Sequence, residues 1–168
     1  MTLADLVRGV VDHVRPENVD PAGTVVTGEG PDVEIVIVAH RDLGGVSLVA
    51  WTDARGARLL WATVRDLSRH DDLDLGTVVE SISYDGDWGT ALRAAFAAEL
   101  RRPIRLRSRT GWLRGPRVEC SIVSGGRDRR IGVIRLPKNE SRSETVTTTL
   151  AGGSRPWFSV PPAISHGR

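Results

Sequence analysis

GPDVEIVIVA (residues 30–39) and GPRVECSIVS (residues 115–124) share the frame Gly-Pro-x-Val-Glu-x-x-Ile-Val, 85 residues apart. Each reads as a strand entered from a turn, because Gly and Pro set the turn and a β-branched run follows. The same offset superposes two helical patterns without a gap. Leu6, Val7, Val10 and Val11 fall on Ala91, Leu92, Ala95 and Phe96, while Val46 and Val49 fall on Ile131 and Ile134. Six identities in ten positions arise by chance too often to stand alone; the superposed helices make the match a candidate internal repeat. The implied plan is a helix followed by three strands, twice over, in pseudo-repeat halves 1–66 and 85–150.

Helical periodicity supports the two anchors of that plan. Leu3, Leu6, Val7, Val10, Val11 and Val14 form one stripe over 2–14, with Thr2 as cap and Pro16 as stop. Trp88, Ala91, Leu92, Ala95, Phe96 and Leu100 form the second, started by the turn Asp85–Asp87 and ended by Pro103. Strands are predicted at 33–40, 46–52, 57–64, 104–108, 117–124 and 130–136, and RSETVTTTL (142–150) has the composition of another. Residues 46–64 form a hairpin turning at Asp53–Gly56. TVVESIS (77–83) reads as a short helix or a strand, the spacing of Leu75, Val78, Val79 and Ile82 favouring the helix. The fold class is therefore α+β, a mostly antiparallel sheet covered by two main helices. Residues 1–150 are expected to form a single compact domain. AGGSRPWFSVPPAISHGR (151–168) is expected to be a loosely attached Pro/Gly-rich tail, anchored in part by Trp157 and Phe158.

Composition narrows the function classes. The chain has 168 residues and one cysteine, Cys120, which excludes an internal disulfide and a cysteine-based zinc cluster. No apolar run reaches the roughly 18 residues of a membrane-spanning helix, and the N-terminus lacks the pattern of a cleaved signal. A cytoplasmic protein is the expectation. The net charge of +2 conceals an asymmetry: residues 1–99 carry 8 basic and 17 acidic groups, and residues 100–168 carry 15 basic and 4 acidic groups. Such a split suits docking of one half on the other, a homodimer, or a surface reserved for a charged partner.

Catalytic and cofactor signals are weak. HDDLD (70–74) gathers possible metal ligands but lacks the glycine and terminal glutamate of a calcium loop, and Asp74 serves equally as a cap. His40, with His70 and the Asp71/Asp72 pair, would be the acid–base set of a metal-dependent hydrolase, yet no nucleophile signature accompanies them. Cys120 is in register with Val118 and Ile122, which predicts an inert core thiol. Neither GEGP (28–31) nor SGGRDRR (124–130) fits a phosphate-binding fingerprint. No cofactor and no metal are expected. Glu34 and Glu119 each begin an apolar run and are expected at solvated strand ends.

The arginines carry the functional expectation. Arg105, Arg107 and Arg109 alternate onto one face of a strand, opposite Ile104 and Leu106, with Trp112 and Arg114 just beyond. A row of guanidinium groups beside an indole suits a charged partner surface. The leading reading is a non-enzymatic protein-binding protein, such as an immunity protein or a secretion or assembly chaperone. It would capture another protein through Arg105, Arg107, Arg109, Trp112 and Arg114. Nucleic-acid binding through residues 101–117 is the alternative, and the metal-dependent hydrolase is the third.

Overall fold

The computed structural model describes residues 2–22, 24–27, 33–63, 76–111, 115–137 and 144–160. Helix α1 (Leu3–Val14) begins at Thr2, whose hydroxyl accepts from the Asp5 amide while the Asp5 carboxylate takes the Thr2 amide in return. Leu3, Leu6, Val7 and Val10 are its buried stripe, and Arg15 closes it in the left-handed conformation (φ 49°) ahead of Pro16. Helix α2 (Trp88–Leu100) begins at Asp87, which accepts from the Thr90 amide at 3.1 Å, and it buries Leu92, Phe96 and Leu100.

The strands divide between two sheets, both antiparallel. The first runs in chain order through β1 (Val25–Thr27), β2 (Glu34–Ala39), β3 (Val46–Asp53), β4 (Gly56–Thr63) and β5 (Thr77–Ser83). The second has the order β8-β7-β6-β9, from β6 (Ile104–Gly111), β7 (Gly115–Ser124), β8 (Arg127–Arg135) and β9 (Thr145–Thr148). The α+β class with two helices and antiparallel pairing holds. Of the two readings of 77–83, the helix that the spacing favoured gives way to the strand, β5. Thr77, Val78, Val79 and Ile82 are β-branched, and pairing with β4 outweighs their helical spacing. The register slip between Leu59 and Leu60 breaks the strict alternation by which a strand is recognised.

One core joins the elements. Val36, Val38, Leu48, Ala50, Leu59 and Trp61 line the face of the first sheet that receives both helices. Ile104, Leu106, Val118, Cys120 and Ile122, from one face of the second sheet, belong to the same cluster. The sheets meet where β8 passes β4 and β5. There the Thr63 hydroxyl donates to the Ile131 carbonyl at 3.1 Å. A Cβ at Gly132 would lie 2.2 Å from Thr63 Oγ1, so the contact requires glycine. On the opposite face of the first sheet Ile35, Ile37, Val49, Leu60 and Ala62 form a second buried cluster.

Residues 150–160 strap the molecule. The Ala151 amide donates to the Leu100 carbonyl at 2.8 Å, and the Ala151 carbonyl accepts from Glu17 at 3.1 Å. Further on, the Val160 amide donates to Asp42, and Phe158 is buried in the main core. Trp157 stands edge-on to Phe158, with ring centroids 5.1 Å apart.

The two matched decapeptides hold corresponding places and differ in environment. β2 and β7 are each the middle strand of a three-strand meander that follows a helix. Yet Glu34 points to the helix side, accepting from the Leu3 and Ala4 amides at 2.8 and 3.0 Å. Its counterpart Glu119 lies on the outer face of the second sheet, paired with Arg109. The two strands thus share a place in element order but not a side-chain environment.

Candidate partner-binding face

Register fixes which side chains share the outer face of the second sheet, since residues directly opposite in a ladder point the same way. Arg105 pairs in the ladder with Ser121, Arg107 with Glu119, and Arg109 with Arg117. On the next strand Ser121 stands opposite Arg130, Glu119 opposite Val133, and Arg117 opposite Arg135. Among the described residues the face therefore carries Arg105, Arg107, Arg109, Arg117, Arg130 and Arg135 against two carboxylates, Glu119 and Asp128. The alternation expected of Arg105, Arg107 and Arg109 is present: Ile104 and Leu106 are buried beneath them.

Those three arginines are not free. Arg105 reaches over β7 to Asp128, one Nη1 lying 2.8 and 3.0 Å from the two carboxylate oxygens. Arg107 holds the same Asp128 at 2.9 Å, and Arg109 Nε holds Glu119 at 3.0 Å. The short Ser121, 8% exposed, lies on the strand that the arms cross. Such pairs in partial solvent are worth little individually, but they fix the guanidinium planes. The acids that meet the arginine strand come from its own sheet, not from the acidic first half. Trp112 and Arg114 lie outside the described residues.

Arg117, Arg130 and Arg135 belong to the face although the arginine strand alone did not point to them. The placement of Arg135 depends on a bulge in β8. The ladder shifts by one between Cys120 and Ser121, leaving Ile131 as the additional residue. Without that shift Ile134 would stand beside Arg117; with it, Ile134 turns into the core and Arg135 turns out.

The remaining candidates have structural roles or are not described. His40 is fully buried at the end of β2, its Nδ1 accepting from the Asp42 amide at 3.1 Å. Burial pushes its pKa down to about 4, so the ring is neutral at pH 7. His70, Asp71, Asp72 and Asp74 lie outside the described residues. Burial pushes the Cys120 thiol up to about 12, which keeps it protonated. SGGRDRR turns out to be the β7–β8 hairpin, with Gly125 and Gly126 both at positive φ (57° and 74°), as a two-residue turn of this hand requires. A cleft of about 670 Å³ lies away from the arginine face, beside Arg15, Pro16, Val19 and Arg41.

No protein-family model, curated protein or solved structure matches the chain. The reading of function rests on this face.

Proposed function

We propose that the chain is a non-enzymatic binding protein that captures an acidic protein partner on the outer face of its second sheet. The observation that carries this reading is the charge of that face, six arginines against two carboxylates on one rigid ladder. The Asp128 and Glu119 contacts hold three of the guanidinium groups, those of Arg105, Arg107 and Arg109, in place before a partner arrives. Little side-chain entropy is then left to lose on docking. Charge complementarity of this kind speeds encounter and selects among partners. An immunity protein and a secretion or assembly chaperone both work by stoichiometric capture and fit the proposal equally.

The test compares the wild-type chain with the variant Arg105→Gln/Arg107→Gln/Arg109→Gln as immobilised bait. Glutamine avoids placing new carboxylates beside Asp128. The wild type should retain an acidic protein at one-to-one stoichiometry, released by raising salt, and the variant should lose it. An unchanged set of captured proteins would remove this face as the docking surface. Retention of nucleic acid instead, with affinity falling steeply as salt rises, would replace the proposal with the nucleic-acid alternative.

A further inference from the structure

Arg109, Arg117 and Arg135 stand directly opposite one another across β6, β7 and β8. Adjacent strands lie about 4.8 Å apart, so three guanidinium-bearing positions occupy roughly 10 Å. Like charges directly opposite in a ladder repel. Glu119 reaches Arg109 at 3.0 Å, while no ion pair holds Arg117 or Arg135 among the described residues. Three cations and one carboxylate leave two positive charges at one end of the face. The β8 bulge is what completes the row, by turning Arg135 outward.

We propose that this row seats a phosphoryl group carried by the partner protein; the inference rests on the protein-binding reading above. A phosphorylated side chain brings about −1.5 to −2 charges and three acceptor oxygens. That charge matches the local excess, and the oxygens suit guanidinium forks arriving from neighbouring strands. A single carboxylate brings one charge and would leave the rest uncompensated. Arg117, at the centre of the row, is half-buried, where screening by solvent is weaker than at its exposed neighbours.

Binding of three probes to the full chain tests the proposal at constant ionic strength. They are inorganic phosphate, an acidic nonapeptide with one central phosphoserine, and the same peptide with glutamate at that position. The phosphopeptide should bind at least tenfold more tightly than the glutamate peptide. Arg117→Gln/Arg135→Gln should abolish that preference with an unchanged far-UV spectrum, whereas Arg8→Gln/Arg55→Gln, which removes two exposed arginines outside the second sheet, should retain it. Equal affinity for the two peptides would overturn the phosphoryl seat and leave acidic-partner capture standing. Inorganic phosphate binding as tightly as the phosphopeptide would overturn the partner-borne assignment. A preference that survives Arg117→Gln/Arg135→Gln would overturn the location. Binding of neither peptide would overturn this inference together with the reading on which it rests. Tighter binding of a single-stranded oligonucleotide than of either peptide would also count against it.

Discussion

Two buried ionisable groups show how differently this chain treats a polar residue in its interior. Glu99, 4% exposed, accepts from Trp61 Nε1 at 2.8 Å and from Arg102 Nε at 2.6 Å, with Arg102 Nη2 closing a two-point pair. The cluster ties α2 to β4, and Arg102 also donates to the Val123 carbonyl at 3.1 Å. His40 is the opposite case. With Nδ1 accepting, the proton of the neutral ring sits on Nε2, which is buried and has no hydrogen-bond partner among the described residues. Burial is the main cause of its depressed pKa; Asp42 opposes the shift, while Arg41 and Arg155 add to it. The folded pKa, about 4, lies below the ordinary 6.5, so the contribution to stability is complete above 6.5 and is lost as pH falls toward 4. Stability should therefore drop by about 2 kcal/mol between pH 7.5 and pH 5 and about 3 kcal/mol by pH 4. Urea midpoints across that range are the measurement, and His40→Asn, which keeps an acceptor for the Asp42 amide, should flatten the decline. A decline of the same size in His40→Asn would assign it to other groups.

At the scale of elements, the junction between β4 and β8 offers the sharpest prediction. Gly132→Ala should destabilise the fold by about 1–3 kcal/mol, because the new methyl meets Thr63 Oγ1 at 2.2 Å and Cγ2 at 2.5 Å. Thr63→Ala removes both of those atoms, so the double variant should recover part of the loss and show coupling in a double-mutant cycle read by thermal melting. Additive effects would mean that the strands move apart to accommodate the methyl. Nothing within its own strand explains Gly132; the neighbouring sheet does. The helices, by contrast, were legible, because Leu3, Leu6, Val7 and Val10 obey a local period and Thr2 and Asp87 are local caps. The β3–β4 hairpin was legible for the same reason, its turn at Asp53–Gly56 being set by adjacent residues. β5 was misread because edge pairing with β4 is a tertiary fact, and a bulge disguises it. The candidate face was half legible. Alternation placed Arg105, Arg107 and Arg109, but Arg117 and Arg135 entered only through ladder register and a bulge. Asp128 was hidden for the same reason, since it reaches Arg105 and Arg107 across an intervening strand. Glu34 was unreadable in another way, its partners being two amides of a helix some thirty positions earlier.

Among the described residues of the whole molecule, the opposite charges of the two halves do not translate into one half docked on the other by a network of ion pairs. Asp53 holds Arg58, Glu99 holds its near neighbour Arg102, and Asp128 and Glu119 hold the arginine strand of their own sheet. The longer-range bridge from one half to the other among the described residues is Arg155 to Asp42, at 3.8 Å. What joins the halves is apolar: α1, α2, four strands of the first sheet and the inner face of the second contribute to one cluster, with Leu150 and Phe158 from the strap. Burial of that kind is non-directional and shared, so loosening any contributor costs the whole. Leu6→Ala on α1 and Leu106→Ala on β6 should each destabilise by about 3 kcal/mol. Both should do so by moving a single transition, with tryptophan fluorescence and far-UV circular dichroism coincident in denaturant. The two residues come from opposite ends of the charge asymmetry and from different layers. If the second sheet were an independent unit, Leu106→Ala would instead split the curve, lowering one transition and leaving the other in place. The arginine face would then be free to unfold without the rest. A shared transition means that the face stays rigid for as long as the core exists, the condition that presenting ordered guanidinium groups to a partner requires.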